Sequence, residues 1–107
     1  MTKRPKKKRK GSVQLRMGVA WYRPEQWERL RGMVPDPGAL EETYNEWVAM
    51  ATRELSRLAE HGMVLEKVYV DVEELLAWCN ERGRAVDGEA RAEFAGVKLQ
   101  ERDRLER

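Results

Sequence analysis

From residue 40 to residue 59 apolar side chains recur at spacings of three and four: Leu40, Tyr44, Trp47, Val48, Ala51, Leu55, Leu58 and Ala59. Glu41, Glu42, Glu46, Arg53, Glu54 and Arg57 fill the other positions, so the apolar set forms one stripe and predicts a long amphipathic helix. Asp36 and Pro37 offer a cap and a first-turn residue, and Gly62 offers a left-handed stop. The helix is therefore expected to run from Pro37 to His61, about 37 Å at 1.5 Å per residue.

Shorter patterns flank it. Pro24 suits a first helical position, Trp27 and Leu30 share a face, and Gly32 is expected to stop this short helix after two turns. Val64, Leu65, Val68, Tyr69 and Val70 lie within Met63 to Asp71 and predict a short strand. Asp71 is placed to cap the next helix, with Glu74 completing a capping box and Val72, Leu75, Leu76 and Cys79 on one stripe up to Gly83. Asp87 is placed to cap a last helix through Ala90, Phe94 and Val97, expected to fray from Gln100 onward. A lone strand leaves backbone groups unpaired, so this one needs a partner. Val13, Leu15, Met17, Val19 and Trp21 alternate with Gln14, Arg16, Gly18, Ala20 and Tyr22, a two-residue period that offers one; a second copy of the chain is the alternative. The expected fold is mainly α (α+β), three to four helices around one long amphipathic helix with one or two short strands.

Charge divides the chain. Residues 1–16 hold eight Lys or Arg and no acid, leaving 13 basic against 19 acidic residues in 17–107, about −6 overall. We therefore read 1–16 as a basic, disordered tail or an added targeting segment, and 17–107 as one small helical domain. Lys3, Arg4, Lys6, Lys7, Lys8, Arg9 and Lys10 are the candidate phosphate or targeting residues. They could neutralise phosphates without sequence preference.

Chemistry-bearing residues are sparse. His61, the single histidine, falls in the last turn of the long helix, where an imidazolium meets the negative end of the dipole. Cys79, the single cysteine, sits on an apolar stripe, which suits buried filler; no disulfide can form within the chain. Glu41-Glu42 and Glu73-Glu74 are explained by helix dipoles, and no catalytic set, cofactor motif or metal motif is present. No apolar run reaches the roughly 18 residues that cross a bilayer. Of the four tryptophans, Trp27, Trp47 and Trp78 fall on apolar stripes. That leaves Trp21, Tyr22 and Arg23 as the candidate partner-binding group, since adjacent residues of an extended segment face opposite sides and one ring is expected to be exposed or covered by a partner; core packing is the other reading and carries the greater weight.

Pro5-Lys6-Lys7-Lys8-Arg9-Lys10 resembles the nuclear localisation signal of polyomavirus large T antigens. Gly11-Ser12 looks like a junction between joined coding segments, with Met17-Gly18 as a start of the body; added targeting sequence, nucleic-acid arm and solubilising extension stand as three readings of the tail. Trp21-Tyr22-Arg23-Pro24-Glu25-Gln26-Trp27, with Val70 to Cys79, is similar to a set of small bacterial proteins without assigned activity, which implies no site residues. The resulting expectation is a bacterial, cytoplasmic, non-enzymatic protein-protein interaction module, with a protein partner or self-association, no cofactor and no membrane. Nuclear placement would follow only from the tail. The alternative is a nucleic-acid-binding regulator, acting through the tail or through residues 66–102 as a ribbon-helix-helix-like dimer; Glu66 and Asp71 and the acidic body oppose that second form.

Overall fold

The computed structural model describes residues 16–106. The expectations placed on Lys3 to Lys10, and on the part of the alternation from Val13 to Leu15, lie outside that range. Among the described residues the architecture is mainly α with a small sheet: strands β1 (Arg16–Trp21) and β2 (Val64–Tyr69) and helices α1 (Trp27–Met33), α2 (Tyr44–Glu60), α3 (Val72–Glu81) and α4 (Gly88–Leu105).

The strand over Met63 to Asp71 finds its partner within the chain. β1 and β2 run parallel, in register from Arg16↔Val64 to Trp21↔Tyr69, and a bond from the Val70 amide to the Trp21 carbonyl (3.0 Å) extends the ladder. Parallel neighbours need a long crossover, and α1 and α2 supply it. Alternation then assigns the faces. Gly18, Ala20 and Val68 lie under α4 with Ala95 and Leu99, while Trp21 packs on Trp47 of α2 with ring centres 4.8 Å apart. β1 takes one edge of β2, and the other edge of β2, on which a ribbon-helix-helix-like pairing would have to form, has no strand beside it among the described residues.

Besides the start of α1, which lies at Trp27 behind a separate 3-10 turn over Pro24–Gln26, three helix limits differ from the sequence reading. The helix α1 runs through Gly32 and stops at Val34, which is extended ahead of Pro35. At the start of the long helix, Asp36 makes no side-chain cap; Pro37–Ala39 forms a separate 3-10 turn, and Leu40 is extended. The real cap is Thr43, whose hydroxyl accepts from the Glu46 amide (3.1 Å) while the Thr43 amide donates to the Glu46 carboxylate (3.2 Å). This reciprocal box satisfies two donors where Asp36 would satisfy one, so α2 has 17 residues and spans about 26 Å, with Glu41 and Glu42 ahead of it. The third difference is α4, which continues to Leu105 instead of fraying from Gln100. Arg102 and Asp103 hold its last turns to the strands: Arg102 bonds Glu66 at 2.5 Å, and Arg16 bridges Glu66 and Asp103.

The other terminations follow the sequence. Asp71 accepts from the Glu73 and Glu74 amides (2.9 and 3.1 Å), and Asp87 from Ala90 (2.8 Å). Glu74, however, reaches Lys98 at 2.9 Å rather than turning back to complete a box at Asp71. Gly62 and Gly83 close α2 and α3 with positive φ of 88° and 62°. One buried cluster joins Trp21, Trp27, Leu30, Trp47, Val70, Leu75 and Phe94 across all four helices.

Candidate functional site: the open edge of the sheet

Trp21 and Tyr22 are both buried, at 4% and 3% exposure, as the core-packing reading has it, which corrects the expectation that one ring would face out. Alternation holds only inside a strand, and Tyr22 follows its last residue. Both rings can therefore enter one aromatic cluster: Tyr22 lies 5.1 Å from Trp47 and 6.2 Å from Trp27. The Tyr44 hydroxyl donates to the Tyr22 carbonyl (2.7 Å), tying α2 to the end of β1. Arg23 alone of the three stays exposed, its guanidinium 4.4 Å above the ring of Tyr69, itself 53% exposed. Burial pushes the Tyr22 phenol up, with the charge of Arg91 opposing.

The remaining candidates are placed as follows. His61 is exposed at the end of α2, with its Nδ1 2.8 Å from the Arg57 carbonyl. Cys79 is buried between α3 and the core, and desolvation raises its thiol above the ordinary value. Among the described residues no His, Cys, Asp and Glu gather as a metal site, and no helix is long and apolar enough to cross a membrane. The ion pairs are mostly exposed; Arg29 with Glu73 and Arg57 with Glu54 hold those carboxyls below the usual range by hydrogen bonding.

What the sequence reading missed is an edge. Because the Trp21 carbonyl points at β2, alternate residues Met17 and Val19 also bond inward, and Gly18 and Ala20 turn their amides and carbonyls away from β2. Those groups find no hydrogen-bond partner among the described residues. They lie in a groove of about 270 Å³ walled by Trp47, Leu55 and Leu58 of α2 and by Gly88, Arg91 and Ala92 of α4. No acid lines it. A second depression, about 340 Å³, continues along the same edge past Ala92, Gly96 and Gln100 to Arg16 and Asp103.

The two edges of the sheet are treated differently. β2 carries Glu66 and Lys67 and turns the backbone of Lys67 and Tyr69 outward, and charge, lysine above all, is a common guard against stray strand pairing. After Arg16, β1 carries no charge from Met17 to Trp21. Gly18 admits α4: a Cβ there would stand 3.0 Å from the Ala95 carbonyl oxygen. Gly96 has no such reason, since a Cβ there would meet nothing within 4 Å. A signal for this face does exist in the sequence, in the four-residue spacing of Gly88, Ala92 and Gly96.

No family model, curated protein or solved structure matches the chain.

Proposed function

We propose that this chain is a non-enzymatic protein-protein interaction module that captures an extended polypeptide on the open edge of β1. The observation that carries the reading is the set of backbone groups of Gly18 and Ala20, without partners among the described residues, at the floor of an apolar groove. Half-buried amides and carbonyls without partners are costly, and a strand added alongside satisfies them while its alternate side chains fill the groove. The lining supports an uncharged occupant: among the described residues it offers Leu, Trp and Val contacts and one cation, Arg91. The acidic body disfavours a phosphate backbone as the ligand of this surface.

The test is hydrogen exchange at individual amides in dilute protein, with and without an uncharged peptide of about ten alternating Val and Thr residues. Binding should slow exchange at Gly18 and Ala20 by about tenfold or more and leave the exposed edge of β2 unchanged. Equal rates at Gly18 and Ala20 with and without peptide, and at every protein concentration, would sink strand capture.

A further inference from the structure

The edge that captures a strand also fits the strand that forms it. We infer that two copies of the chain pair through β1, antiparallel about Val19, to make a four-stranded sheet ordered β2-β1-β1-β2. The inference rests on the strand-capture reading and names its occupant.

Hydrogen-bond bookkeeping favours this register. In an antiparallel pair, opposed residues exchange two bonds at every second position. Centring on Val19 places Gly18 of each copy opposite Ala20 of the other, so all the outward amides and carbonyls of both residues are paired. Val19 meets Val19 at a non-bonded position, where side chains come closest. Met17, 41% exposed in the single chain, comes opposite Trp21. The contact is self-complementary and closes after two copies, as an isologous interface does.

The helices admit the second copy. A two-fold axis normal to the sheet keeps both α4 helices on one face, antiparallel, and turns the flank carrying Gly88, Ala92 and Gly96 of each toward the other. Glycine inside an exposed helix destabilises it by about 1 kcal/mol relative to alanine. Among the described residues of one chain nothing approaches Gly96 to justify that cost; a second helix backbone would.

Charge selects the occupant. The basic segment from Lys3 to Lys10 would carry seven cations into a groove whose one charge is Arg91, whereas β1 is neutral from Met17 onward.

Sedimentation equilibrium of the full chain, from about 1 µM to about 200 µM, tests the pairing. The expected mass at the upper end is about twice 12.5 kDa, with protection of Gly18 and Ala20 rising with concentration. Gly96→Arg and Met17→Lys should each weaken association at least about tenfold. Gly96→Arg fills open space on a helix, so its melting temperature at monomer concentration should be unchanged or higher. A chain monomeric throughout, or a dimer indifferent to both substitutions, overturns the inference. If monomers still show peptide-dependent protection at Gly18 and Ala20, strand capture stands and self-pairing alone falls.

Discussion

The two faces of the sheet are packed by opposite means. On one, Trp21 and neighbouring Tyr22, Trp27, Tyr44 and Trp47 bring large rings to between 4.8 and 6.2 Å of one another. On the other, α4 approaches β1 over Gly18, Ala20 and Ala95, so closely that a methyl group at Gly18 would press on backbone. The aromatic side draws its stability from area removed from water, which tolerates small shifts of the elements. The small-residue side depends on shape, because almost no side chain is available to rearrange. One consequence is that the edge of β1 stays open between the two, with α2 walling one side of the groove and the small-residue flank of α4 the other.

Removing rings should hurt most. Trp47→Ala vacates the centre of the aromatic cluster and should destabilise the fold by about 3–5 kcal/mol in denaturant titrations. A loss under about 1 kcal/mol would mean that the cluster contributes far less than its burial implies. Gly18→Val tests the opposite face by overfilling it, with an expected loss of about 1–3 kcal/mol. Gly96→Ala should go the other way, stabilising the dilute protein by up to about 1 kcal/mol, because α4 gains helix propensity without a clash.

A pH titration sharpens the comparison further. Burial raises the folded-state values of Cys79 and Tyr22 above their ordinary 9.0 and 10.0. Stability from keeping them neutral is complete below the unfolded values and is lost as pH rises from about 9 through the folded ones. Thermal unfolding should therefore fall at alkaline pH, and Cys79→Ala should remove the earlier part of that fall. An unchanged alkaline limb in Cys79→Ala would separate the thiol from the effect.

Much of this fold was legible where the signal is local. Asp71, Asp87, Gly62 and Gly83 act within a few residues of themselves, and each stands at the helix end its chemistry predicts. The start of α2 was misread because two local signals competed: Asp36-Pro37 fits a helix start, but only Thr43 and Glu46 satisfy each other. The extension of α4 was misread because its last turns are held by Arg16 and Glu66, which are distant in sequence. The candidate site was the least legible. Trp21 and Tyr22 attracted attention through their size, and size is what drew both into the core. The edge beside them consists of Met, Gly, Val and Ala, whose backbone becomes the relevant chemistry only when the neighbouring strand is known to lie on one side.

The bond from the Tyr44 hydroxyl to the Tyr22 carbonyl has a further effect on anything added to that edge. An incoming strand that slips by two residues toward the C-terminal end of β1 must compete with Tyr44 for that carbonyl. The phenol thus closes that end of the ladder: the Tyr22 carbonyl is already taken, so a strand added to this edge finds its backbone partners at Gly18 and Ala20.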